Sequence, residues 1–153
     1  MSGTVLEFGL DGAGTGVLHT TQIVGGEHSI SAEGHPAFGG KDTAPSPLDY
    51  ALAALASCTQ VTGQIVAAGD KSISLGEWDV DLKAHLDNSV LVYGAEGVSN
   101  FRDVTVTVSV QTNLDEARFA EFAAEVERRC PIATLFRGSG VELATEWTNL
   151  PLG

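Results

Sequence analysis

Cys58 and Cys130 are the only two cysteines in this 153-residue chain, and each stands in a distinctive setting. Cys58 lies in "PSPLDYALAALASCTQ" (45–60) and Cys130 in "ERRCPI" (127–132). The thiolate is the reactive form of cysteine, and an unperturbed thiol has a pKa of about 8.5. A reactive thiol therefore needs a donor or a cation nearby, because apolar burial alone keeps the proton on. Both residues fall on the apolar stripes of helical segments, where a free cysteine also serves simply as a small hydrophobe. Cys58 sits about three turns into its helix, out of reach of the positive N-terminal end. Cys130 precedes Pro131, so it can cap the next helical turn, and Arg128 and Arg129 adjoin it. Local physics thus makes Cys130 the more acidic thiol.

Other residues offer less. There is no CxxC and no HExxH, and His19, His28, His35 and His85 form no ligand-spaced cluster, so no metal site is expected. His35 in "GHPAFGG" reads as a turn residue before a proton donor. Lys41 and Arg137 are the cations that would stand beside a thiol if one were needed, though a solvated surface is the plainer account of each. Trp78 and Trp147 fall in strand-like segments and should pack.

Composition narrows the setting. Hydrophobic content of 43% and charged content of 18% suit one globular domain spanning 1–153. A formal charge of −12 argues against nucleic acid and against an anionic membrane surface. No Lys or Arg precedes Lys41, and the oily run around Ala51–Ala56 is far shorter than the roughly 20 residues of a membrane span. A cytoplasmic protein is expected. In a reducing compartment two cysteines 72 positions apart are inert packing or redox chemistry, not a disulfide scaffold.

The elements that must position the thiols follow from pattern. "GVLHTTQIV" (16–24) and "HSISA" (28–32) flank "GGE" as a hairpin. "EGHPAFGGKDTAPSP" (33–47) is a loop by its glycines and prolines. Ser46 then caps a helix with Pro47 at its first position and Asp49 at the capping-box position. Its stripe is Leu48, Leu52, Leu55, Cys58, Thr62 and Ile65, and Gly69 ends it. "EWDVDLKAHL" (77–86) and "DVTVTVSVQT" (103–112) alternate as strands, and "SVLVYG" (89–94) reads as a short oily strand. Asn113 can cap a second long helix, with Phe119, Phe122, Val126 and Cys130 as its stripe, broken by Pro131. "IATLFRG" gives a further short helix and "VELATEWTN" a last strand. Strands grouped around two main helices predict an α+β fold with mainly antiparallel pairing.

Taken together, "GGKDTAPSPLDYALAALASCT", the alternating strand "GVSNFRDVTVTVSV" (97–110), an acidic helix and "ERRCPI" resemble the OsmC/Ohr family. The similarity runs roughly from residue 16 to 147. It implies an OsmC-like α+β fold built as an intertwined homodimer, with active sites near the subunit interface. In the peroxidase members, the cysteine matching Cys58 attacks the O–O bond of an organic hydroperoxide and the one matching Cys130 resolves the sulfenic acid to a disulfide. An external dithiol then reduces that disulfide. By resemblance the catalytic residues are Cys58 and Cys130, the substrate is a small apolar hydroperoxide, and no cofactor or metal is used.

The chain departs from the Ohr pattern at two points. Ohr-type peroxidases carry an N-terminal Arg that holds the thiolate, whereas no Arg here precedes Arg102. They carry a Glu just after the helix-starting proline, whereas here that position is Leu48 and the acid is Asp49, half a turn away from Cys58 and better placed to cap. Two other readings fit the same family: a binder of small apolar ligands whose thiols only pack, and a redox sensor.

Overall fold

The computed structural model describes residues 3–153. Internal contacts divide the chain inside its first long helix, into residues up to Ala51 and residues from Leu52.

The first unit is a three-stranded antiparallel sheet, β1 (Leu10–Thr15), β2 (Leu18–Ile23) and β3 (Ser29–Glu33), in the order β1-β2-β3. β2 and β3 form the expected hairpin. β1 has no apolar alternation to announce it, because "LDGAGT" holds two glycines in six residues. Its pairing makes the strand: the His19 ring lies across Gly12, where a Cβ would meet His19 Cε1 at 2.4 Å. A single 3₁₀ turn, Pro36–Phe38, follows, capped by His35 Nδ1, which accepts from Ala37 N at 3.1 Å. His35 is thus a turn residue, as its setting predicts.

α1 (Pro47–Ala68) matches the predicted helix, and its 22 residues straddle the division. The second unit continues with β4 (Leu75–Leu86), α2 (Ser89–Tyr93), β5 (Phe101–Thr112), α3 (Glu116–Arg129), α4 (Pro131–Gly138) and β6 (Glu142–Pro151). Its sheet runs β4-β5-β6. β4 and β5 are antiparallel, whereas β5 and β6 are parallel, in register from Asp103↔Glu142 to Thr112↔Pro151. A parallel neighbour needs a long crossover, which α3 and α4 supply. Among the described residues the fold is α+β with two three-stranded sheets and four helices, antiparallel in all strand pairs but this one.

Two local expectations are corrected. "SVLVYG" is not a strand but the turn of helix α2: Asp87 accepts from Ser89 N at 2.9 Å, and left-handed Gly94 closes the far end. Two such local devices decide the conformation where no neighbouring strand pairs with the segment. Asn113 does not cap α3. Its side chain ties the preceding loop, accepting from Ser74 N and donating to Ser72 O, while Asp115 caps by accepting from Arg118 N at 2.8 Å.

β5 is the spine of the core. Val104, Val106, Val108 and Val110 all point inward and are 2% exposed or less. Leu55 of α1, Cys130 and Ala133 pack with the first three; Val66, Phe119, Phe122 and Val126 pack around Val110. Trp78 and Trp147 meet edge to face and extend this packing, as expected of strand tryptophans. Gly63 lets α1 approach closely, since a Cβ there would lie 2.4 Å from Trp78 Cη2.

Candidate active site

The helix that carries Cys58 begins with a reciprocal cap. Asp49 Oδ2 accepts from Ser46 Oγ at 2.7 Å and from Ser46 N at 3.0 Å, and Ser46 Oγ accepts from Asp49 N at 3.1 Å. Asp49 is therefore a capping residue, as its half-turn offset from Cys58 predicts. The Ser46 hydroxyl and amide hold its carboxyl below the usual carboxylate range. From this start, the 3.6-residue period buries Leu55, Thr59, Thr62, Gly63 and Val66 on one face. Cys58 lies at the margin of that face and is half-buried, with its Sγ 3.9 Å from Thr62 Oγ1 one turn on.

Cys130 is built into a junction. It closes α3, with its N–H donating to Val126 O at 3.0 Å, and it opens α4, with its Sγ accepting from Ala133 N at 3.4 Å. Pro131 has no N–H to place, which suits the first position of α4. Cys130 is 1% exposed.

The two sulfurs come from residues 72 positions apart in sequence, yet each sits in the same apolar cluster. They are close enough for Cys58 to act on the ionisation of Cys130. Burial is the main influence on the Cys130 thiol and pushes its pKa up. The Ala133 N–H pulls it down, Cys58 pushes it up again, and the Thr62 hydroxyl pulls it down. The net direction is upward. This overturns the expectation that its cap and its arginines make the Cys130 thiol acidic. The arginines point elsewhere: Arg128 grips Glu125 through two bonds of 2.8 Å, and Arg129 leans on the same carboxylate at 3.8 Å. One cap donor does not offset the loss of water around a buried sulfur.

Arg137 donates to the main-chain oxygen of Glu127 at 2.5 Å. Lys41, in the first unit, neighbours Glu33, whose carboxylate also binds Thr43 N at 2.7 Å. The main influences on Cys130 come from burial, the Ala133 amide, Cys58 and Thr62 rather than from a cation.

Space around the sulfurs is uneven. Beside Cys130 lies a void of about 10 Å³, lined by Leu55, Thr59, Val126, Glu127 and Ala133 among others. That is about one water's worth of room. An organic molecule cannot enter there, so approach to the thiol pair within this chain runs by way of half-exposed Cys58. Sequence reasoning passed over two groups: the Ala133 N–H, and the hydroxyl of Thr62, which appears only as a member of the helix stripe. Its spacing of four from Cys58 was the available signal.

The sequence family described as OsmC-like protein matches residues 39–146, a stretch that holds both cysteines and the elements that place them. This chain belongs to the OsmC-like family. Solved structures share the OsmC-like fold at low identity. An OsmC-like protein from Mycoplasma pneumoniae superposes with a TM-score of 0.78 at 17% identity, covering 96% of this chain and 99% of that one. An organic hydroperoxide resistance protein from Elizabethkingia anophelis gives 0.74 at 17%, covering 96% and 99%. An organic hydroperoxide resistance protein OsmC from Legionella pneumophila gives 0.70 at 18%, covering 95% and 99%. No curated protein matches. At these identities the solved OsmC-like structures establish the fold; the chemistry has to be argued from the residues.

Proposed function

We propose that this OsmC-like protein reduces organic hydroperoxides through a two-cysteine cycle. Cys58 is the attacking thiol and Cys130 the resolving one. The observation that carries this reading is the pairing of an approachable sulfur with a sealed one on a shared apolar face. Two of the similar structures are described as organic hydroperoxide resistance proteins, which supports the same substrate class.

The steps balance without a cofactor. The Cys58 thiolate attacks the outer peroxide oxygen; an S–O bond forms, the O–O bond breaks, and the alkoxide takes a proton and leaves as alcohol. Cys130, as thiolate, then attacks the Cys58 sulfur; an S–S bond forms and the sulfenic oxygen leaves as water, with the proton that Cys130 gave up. An external dithiol restores both thiols and is itself oxidised to a disulfide. Apolar neighbours such as Leu52 and Leu55 favour alkyl or lipid hydroperoxides over hydrogen peroxide. The proposal includes a homodimer working in the cytoplasm, where dithiol reductants are present.

One observation favours the competing reading, a small-ligand binder or a sensor: burial holds the Cys130 thiol above its ordinary pKa, and no cation is among the main influences on it. A single experiment separates them. Reduced protein receives one equivalent of cumene hydroperoxide, is quenched with an alkylating agent, and is weighed intact. The expected result is rapid loss of two hydrogens and no alkylation. Cys58→Ser should consume no peroxide, while Cys130→Ser should consume one equivalent and stop at the sulfenic acid. A binder would leave the peroxide untouched. A sensor would oxidise once and fail to turn over with dithiol. Peroxide consumption that survives Cys58→Ser and is lost in Cys130→Ser would reverse the two roles.

A further inference from the structure

Two threonines on the buried face of α1 use their hydroxyls differently. Thr59 donates back to the Leu55 carbonyl at 2.8 Å, the ordinary habit of a helical threonine. Thr62 is just as buried, at 5% exposed, but among the described residues its hydroxyl has only sulfur for a neighbour: Cys58 Sγ at 3.9 Å. The same hydroxyl acts on Cys130. Among the described residues it is thus the one side-chain hydroxyl in contact with Cys58 that also acts on the ionisation of Cys130, and it makes no bond to the helix backbone.

We propose that Thr62 is a positioning residue that donates its hydroxyl proton to whichever of the two sulfurs is ionised. This rests on the peroxidase reading of the site. Cys58 must be anionic to attack the peroxide, and Cys130 must be anionic to attack the sulfenic acid. A donor that touches Cys58 and acts on Cys130 serves both half-reactions.

The elements packed around the pair leave few substitutes. β5 presents Val104, Val106 and Val108, and α4 presents Ala133 and Phe136. The ionisable group nearest in the lining beside Cys130 is Glu127, which α3 contributes; its carboxylate accepts from Trp147 Nε1 at 2.8 Å and can donate nothing when ionised. The Ala133 amide serves Cys130. A hydroxyl 3.9 Å from a sulfur is a long contact, and it shortens when the sulfur carries charge, as charge-assisted bonds do.

The test uses Thr62→Val, which keeps the shape and removes the donor, and Thr62→Ser, which keeps the donor. Thiolate absorbance is titrated against pH in each, in Cys58→Ser and Cys130→Ser backgrounds, so that each sulfur is read alone. The expected result is about tenfold less thiolate at a given pH for both sulfurs in Thr62→Val, the low end of what one hydrogen bond to a charged group is worth. Thr62→Ser should titrate as the parent does. With both cysteines present, disulfide formation after cumene hydroperoxide should slow by a similar factor in Thr62→Val alone. If Thr62→Val does not fold, Thr62→Ala carries the same comparison with Thr62→Ser.

Titration of Thr62→Val that matches the parent overturns the proposal, as does an equal shift in Thr62→Ser, which would assign the effect to packing. The titration needs no peroxide. A Thr62 effect on thiolate content in a protein that never consumes hydroperoxide would leave the hydroxyl's role standing and remove the peroxidase reading instead.

Discussion

The two sheets are equal in strand number and opposite in construction. β4-β5-β6 is built on packing: four valines of β5 are sealed beneath α1, α3 and α4. β1-β2-β3 is built on hydrogen bonds. Leu10 is 62% exposed and Val24 56%. What fixes the first unit is polar: Glu33 binding Thr43, the Ser46–Asp49 box, and Tyr50 Oη donating to Ser31 O at 2.7 Å. The thiols stand in the packed half. Both cysteines therefore lie where close packing permits little motion.

The contrast can be tested by substitution. Val106→Ala removes two buried methyl groups from the spine and should cost about 2 kcal/mol of stability in denaturant unfolding. Gly63→Ala should follow at about 1–2 kcal/mol, because the new methyl drives into the Trp78 ring by more than the gain in helix propensity returns. Ser46→Ala removes the helix cap and should cost about 1 kcal/mol.

That cap also gives the first unit a pH signature. The carboxyls of Glu33 and Asp49 are both held below their ordinary values, by the Thr43 amide and by the Ser46 hydroxyl respectively. A depressed carboxylate stabilises the folded state above its unfolded pKa, about 3.9 for Asp and 4.3 for Glu, and that contribution fades as pH falls. Amide protection, corrected for the intrinsic exchange rate at each pH, should therefore fall at 29–50 on acidification before it does in β5. Protection that falls together in both would show that the two units do not differ in this way. Above about pH 8.5 the reverse applies to Cys130, whose raised thiol pKa gives a contribution that is full at neutral pH and lost with alkali. Cys130→Ala should flatten that alkaline decline. Last and smallest, Ile30→Ala in dilute protein should change unfolding by less than about 0.5 kcal/mol, as exposed positions do. A larger loss there would mean that the first sheet has packing of its own.

Legibility in sequence follows the range of the forces involved. The start of α1 is legible because Ser46, Pro47 and Asp49 act within one turn of each other. β5 is legible because its alternation is unbroken. β1 is not, since Gly12 and Gly14 carry no pattern and only pairing with β2 reveals the strand. α2 misleads because an oily run between two strands looks like a third, while the Asp87 and Gly94 devices that bend it are single residues. The thiols were findable; the direction in which the fold shifts Cys130 was not. Arg128 and Arg129 adjoin Cys130 in sequence, but the helix turns both guanidiniums onto Glu125, and burial, a tertiary property, then dominates.

Cys130 secures the break between α3 and α4 with the same atom that disulfide chemistry would consume. A sulfur that swings toward Cys58 leaves the Ala133 amide without its acceptor. The opening turn of α4 would then exchange its amide protons faster in the oxidised protein, and the redox state of a hidden pair could be followed at a residue that carries no sulfur at all.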